Sequence, residues 1–216
     1  MISFPEEILL LALDEKSGAL KELPTLALPY ALSGAVLMDL ALANRIDTDL
    51  KTLTLISAEP LDNSILDPAL ATIAASPEPK PIEHWLEVFA NDSHAIKTRA
   101  LAHLTTTGIL KQEEHRLLWL IPTRRYHTLD NREKSEIRVR LHSLITSDEI
   151  PEPRDIVLLT LLKACNLLEE ILNQDEIEKH RERIQQLSKM DLIGQAVARS
   201  ISEIQNSIMS SMLYLS

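Results

Sequence analysis

The chain is poor in the residues that most cofactor and metal chemistries require. It has 4 glycines among 216 residues, Gly18, Gly34, Gly108 and Gly194, and no two lie close together. The Rossmann fingerprint and the Walker phosphate loop both need clustered glycines to bring backbone against phosphate, so both are excluded. A single cysteine, Cys165, excludes a disulfide framework and a multi-cysteine zinc site, and it suits a reducing compartment. The first five residues carry no basic group, and the apolar run over 8–13 stops at Asp14, too short for a secretory core. The uncharged run over 23–38 contains Pro24 and Pro29 and falls short of the ~20 residues that span a bilayer. The expectation is a cytoplasmic chain, with peripheral membrane association open to it.

Catalytic constellations are missing as well. The histidines His84, His94, His103, His115, His127, His142 and His180 are scattered, without HExxH or paired metal-ligand spacing. Ser33-Gly34 lacks the GxSxG surround of a nucleophile elbow. Cys165 falls on the apolar face of a helix, where a buried inert thiol is the common case. Asp39, in an Ala/Leu-rich helix, reads as a partnered structural carboxylate rather than a catalytic acid. We expect a non-enzyme with no catalytic residue, no metal and no cofactor.

What remains is a soluble composition: 45% apolar, 25% charged, net charge −10. The fold class expected is mainly α, a single globular helical domain over 1–216 with one or two short β-hairpins, one of them apolar and protruding. Pro5-Glu6-Glu7 opens a helix over 8–13, with Ser3 as cap. A second helix covers 28–44, where the small residues Ala31, Ser33, Gly34 and Ala35 permit close packing. Alternation over 45–57 reads as a hairpin, with Leu50, Thr52, Thr54 and Ile56 on one side and Lys51, Leu53 and Leu55 on the other. Helices over 68–75 and 82–89 flank a stiff Pro77-Glu78-Pro79-Lys80-Pro81 connector, and another over 94–107 ends at Gly108. A second hairpin follows, with the apolar residues Leu117, Leu118, Trp119, Leu120, Ile121 and Pro122 along one arm and polar 123–128 along the other. Helices over 132–145, 155–172, 174–187 and 192–213 complete the chain.

Charge is distributed unevenly. Residues 97–140 hold ten basic groups against five acids, a net of +5, which leaves −15 on the rest. Such an island attracts anions if it forms one surface; its bland alternative is a solvated stretch whose charges pair locally. Arg124-Arg125 beside the apolar run is what a membrane-interface element needs, with aliphatics entering the headgroup boundary and guanidiniums meeting phosphate. A core strand over 117–121 is the competing reading. Helix, Gly108-Ile109-Leu110, strand, turn and strand is also the order of a winged-helix DNA-binding domain, though the candidate recognition helix over 95–107 is poorly basic.

Several segments resemble the Golgi phosphoprotein 3 family, phosphoinositide-binding peripheral proteins of the Golgi with bacterial relatives. They are Pro5-Glu6-Glu7-Ile8-Leu9-Leu10-Leu11-Ala12-Leu13-Asp14 with Ser17-Gly18; Tyr30-Ala31-Leu32-Ser33-Gly34-Ala35-Val36-Leu37-Met38-Asp39-Leu40-Ala41-Leu42-Ala43-Asn44-Arg45-Ile46; Gly108-Ile109-Leu110; and Leu120-Ile121-Pro122-Thr123-Arg124-Arg125-Tyr126-His127. Order and spacing match across nearly the whole chain, and absence of a long basic N-terminal extension favours a bacterial member. The resemblance implies a mostly helical domain, a protruding hydrophobic hairpin and a pocket for phosphatidylinositol 4-phosphate. In eukaryotes it implies adaptor work on glycosyltransferases. Pro24 stands at the family's tryptophan and Ser33 at its arginine, while His94 and Lys97 stand at two further arginines. The expected lipid-binding residues are therefore His94, Lys97, Arg99, Arg124 and Arg125. Leu117, Leu118, Trp119, Leu120, Ile121 and Pro122 are the expected insertion or oligomerisation element. The partners expected are an anionic phospholipid surface, membrane-enzyme tails and a second copy through the hairpin, with no nucleic acid.

Overall fold

The structure is a computed structural model that describes residues 2–48, 52–117, 121–148 and 150–213, with side chains described outside 115–123, 204–205 and 207–213. Its elements are α1 (Phe4–Ala12), α2 (Ala27–Leu42), β1 (Ile46–Thr48), β2 (Leu53–Leu55), α3 (Asp67–Ala74), α4 (Ile82–Asn91), α5 (Ser93–Thr106), β3 (Leu110–Leu117), β4 (Ile121–Thr128), α6 (Arg132–Thr146), α7 (Pro153–Ala164), α8 (Gln174–Lys179), α9 (Arg181–Ser188) and α10 (Leu192–Leu213). The class is mainly α, with two separate antiparallel two-stranded sheets.

α2 is the hub. It is apolar on all sides, as a helix must be when other helices surround it. α1, α4, α5, α7 and α10 all pack on it. Gly34 lets α10 approach: a Cβ there would lie 2.4 Å from Val197 Cγ2. The Ser33 hydroxyl donates to the Leu86 carbonyl at 2.9 Å, joining α2 to α4. α1 is buried along its whole length. Its first turn is closed by the Glu6 carboxylate, which accepts from the Ser3 amide at 2.8 Å and the Ser3 hydroxyl at 2.6 Å.

β1 and β2 form the expected small hairpin, with Ile46 opposite Leu55; Leu50 and Lys51 lie outside the described residues. Two helices expected from periodicity are broken. The expected 155–172 helix stops at Ala164, and Asn166 takes a left-handed conformation (φ 59°). Asn tolerates that conformation, so the chain turns while Leu167 and Leu172 still reach the core. The expected 174–187 helix is interrupted at His180, which separates α8 from α9.

Candidate functional site

The second hairpin corrects the sequence reading of its arms. β3 and β4 pair from Leu110 opposite Thr128 to Leu117 opposite Ile121. Polar residues 111–116 therefore make one arm, and of the apolar run Leu117 ends β3 while Ile121 and Pro122 open β4. Leu118, Trp119 and Leu120 lie outside the described residues, as do the side chains of Leu117, Ile121 and Pro122. The base is fixed to the body. The Tyr126 amide donates to the Gly18 carbonyl at 2.8 Å, and Leu110 is buried. Gly18 is required here: its φ is +63°, and a Cβ would lie 2.9 Å from the His127 ring.

The register also sets the hairpin charges. Arg124 stands opposite Glu114, and Arg125 opposite Glu113. Lys111 and Glu113 pair at 2.8 Å on the same arm. Arg124 is exposed, Arg125 is half-buried, and neither makes an ion pair among the described residues.

Of the three expected ligands on α5, His94 and Lys97 are three residues apart and share a face, which Arg99 does not. His94 is exposed and Lys97 half-buried near the start of the helix. Arg99 is two residues from Lys97, a rotation of about 200° that sends it to the other side. There it lines a small hollow of about 120 Å³ with Ile65, Pro68 and Phe89, its Nη1 3.8 Å from Asp92. Ser33, at the position of a family arginine, is fully buried and directed at the α4 backbone. The hairpin leaves from the far end of α5, a helix about 20 Å long.

The basic island is largely dismantled by folding. Lys134 is 2% exposed; its ammonium donates to the Leu13 carbonyl at 3.3 Å and sits 3.0 Å from Glu15. Arg138 reaches both Glu15 and Glu170 at 3.3 Å, and Arg132 pairs with Asp130 at 2.5 Å. Arg140 lies between Glu7, at 2.9 Å, and Asp155. The partners Glu7, Glu15, Asp155 and Glu170 come from outside 97–140, from the stretches that carry the −15. Lys111 with Glu113 and Arg132 with Asp130 are local pairs, whereas Lys134, Arg138 and Arg140 are taken up by long-range tertiary pairs that neither reading anticipated.

Glu7 belongs to a larger buried network that the sequence reading did not anticipate. Its second oxygen accepts from Arg154 at 2.9 Å. Arg154 also donates to the Ile2 carbonyl at 2.8 Å, reaches Asp39 at 3.5 Å and lies 4.1 Å over the Phe4 ring. Asp39 takes the Phe4 amide at 2.8 Å, which makes it the partnered structural acid expected of it. Burial pushes the carboxyls of Glu7 and Asp155 upward, and that of Asp39 up to about 7, against the pull of the arginines. The only sequence signal for this network was an aspartate inside an apolar helix.

Among the described residues no cluster of His, Cys, Asp and Glu is placed to hold a metal ion, and no helix is long and apolar enough to cross a membrane. The fold is a mainly α body that carries a second, longer hairpin. The sequence model of the Golgi phosphoprotein 3 family (GPP34) matches residues 4–204, and the chain belongs to that family. It is 25% identical over 214 residues to vacuolar protein sorting-associated protein 74 of Eremothecium gossypii, an alignment covering 82% of this chain and 63% of that protein. The chain thus spans less than two thirds of that relative's length.

Proposed function

We propose that this chain is a peripheral membrane protein that binds anionic phospholipid headgroups, with phosphatidylinositol 4-phosphate as the reference ligand. The hairpin inserts its apolar end between headgroups while Arg124 and Arg125 meet phosphate. One observation supports the reading: Leu117 at the end of β3 pairs with Ile121 at the start of β4, next to polar residues 111–116 on one arm and with Arg124 and Arg125 close behind on the other. Apolar residues beside such polar and basic neighbours suit burial at the headgroup boundary. Family membership supports the same reading, together with an adaptor role toward the tails of membrane enzymes and a Golgi-type or equivalent membrane as its site of action. Because Lys97 and Arg99 diverge and Ser33 is buried, the headgroup preference is weak.

Sedimentation with phosphatidylcholine vesicles, with and without phosphatidylinositol 4-phosphate, tests this. Leu120→Ser with Ile121→Ser should weaken binding more than Arg124→Ala, because burying each aliphatic side chain contributes about 1.5–3 kcal/mol and each cation about 1 kcal/mol. The paired Ser protein should keep the salt dependence of the wild type. A folded Ser variant that pellets like the wild type removes the hairpin from the mechanism. A parallel duplex-DNA titration addresses the winged-helix alternative, for which binding should be absent.

A further inference from the structure

A groove of about 800 Å³ lies between α7, α9 and α10, far from the hairpin arginines in sequence. That is the size range of small-ligand sites. Three cations line it, Lys163, Lys189 and Arg199, and among the described residues no carboxylate does. Asn166, Gln185 and Gln195 supply amide groups to the same walls. The Gln195 side chain is held by a bond from its Nε2 to the Lys189 carbonyl at 3.0 Å. Lys163 and Lys189 make no ion pair among the described residues, and Arg199 has only a loose one, 3.9 Å to Glu83.

The cations are held there without carboxylate partners. Lys163 lies in the last turn of α7 and Lys189 caps α9, and a helix C-terminus favours positive charge. They still disfavour one another: burial, and then the charge of Lys189, push the Lys163 ammonium down. An anion between them relieves that. The nearest acid in sequence, Asp191, is 6% exposed and directed inward, accepting from the Ile193 and Gly194 amides at 3.1 and 2.9 Å. On α10, Leu192 shares a face with Gln195 and Arg199 by helical spacing. Leu192 is 39% exposed, and Met190, the chain neighbour of Lys189, is 63% exposed.

We propose that the α7–α9–α10 groove is a site for a phosphate-bearing ligand, bound by Lys163, Lys189 and Arg199. The phosphate is either that of a soluble phosphomonoester or that of a lipid headgroup. None of the hairpin residues takes part, so this site and the hairpin reading fail or stand separately.

The test uses the full chain and two probes. Glycerol 3-phosphate is titrated calorimetrically, and phosphatidylcholine vesicles are sedimented with and without phosphatidic acid. The variant is Lys163→Gln with Lys189→Gln, its folding verified by an unchanged melting temperature. If that protein loses roughly tenfold or more in affinity for glycerol 3-phosphate, the site exists and takes a soluble phosphate. If only the phosphatidic acid-dependent pelleting drops by that factor, the site exists and takes a lipid. If both probes behave as with wild type, or if neither binds the wild type, the proposal is overturned. Arg124→Ala with Arg125→Ala must leave glycerol 3-phosphate binding unchanged, and loss of that binding in the hairpin variant also overturns the assignment.

Discussion

Residues 97–140 carry ten basic side chains against five acids, and residues 160–202 carry six against seven. In space the order reverses. The first region hands Lys134, Arg138 and Arg140 to acids from distant stretches, and little of its +5 faces solvent as free charge. The second region, at a net −1, sorts its charges onto different sides. Glu170 turns to Lys21, Glu176 to His142 and Glu178 to Arg181, while Lys163, Lys189 and Arg199 meet at one groove. A surface potential is set by where tertiary contacts send each side chain. Counting charges along a segment says little about it unless the segment is a single exposed element.

The comparison breaks most sharply on stability. If the cations of 97–140 hold the fold, Arg140→Met should cost about 3 kcal/mol, because it strands Asp155 and half of Glu7 away from solvent. Urea denaturation measures this, and an unchanged midpoint would return Arg140 to the free surface charges. Next in size is vesicle binding by Arg124 and Arg125, which make no ion pair among the described residues. Removing Arg124 and Arg125 together should weaken association with anionic vesicles by about 2 kcal/mol and flatten its salt dependence. Lys97→Ala, on the opposite end of α5, should do less.

The buried acids around Arg154 predict a pH effect. The Asp39 carboxyl is raised to about 7 in the folded chain from 3.8, so between those values the folded state binds more protons than the unfolded one. Its contribution to stability is full below about pH 4 and is lost as pH rises through about 7, with a slope of up to about 1.4 kcal/mol per pH unit. Asp39→Asn keeps an acceptor for the Phe4 amide and should flatten that limb in denaturation curves taken across the range. A slope unaltered by the substitution would assign the proton uptake elsewhere. The smallest effect is expected at the groove: Lys163→Gln with Lys189→Gln should move stability by no more than about 0.5 kcal/mol. A large loss there would make those lysines structural and erase the contrast between the two regions.

Much of the helical frame was legible. The Gly108 stop, the first residue of α10 and the opening of α1 at Pro5 and Glu6 follow from local chemistry. Two kinds of feature were not. The arm Lys111–Arg116 is polar on both faces, so it has no alternation to report a strand, and the adjoining apolar run drew the assignment instead. Leu168 and Leu172 continue the helical spacing of α7, yet they reach the core from beyond a left-handed Asn166, which periodicity does not register. The groove was illegible for a topological reason. Its cations stand 26 and 10 residues apart, with seven acids interleaved or nearby, and only the antiparallel stacking of α7, α9 and α10 brings them together.

Cys165 gives the molecule a built-in gauge of its own opening. The thiol is wholly enclosed where α7 ends against the start of α2, its Sγ 3.6 Å from the Ala27 carbonyl, and burial pushes it up to about 12. No thiolate forms at neutral pH while that seam is shut, and a maleimide finds nothing to attack. Each alkylation event therefore records an excursion in which α7 lifts from the hub. Because the chain has one cysteine, the labelling rate is a single-site clock for that motion, and it can be read in buffer, on vesicles or with a phosphate in the groove.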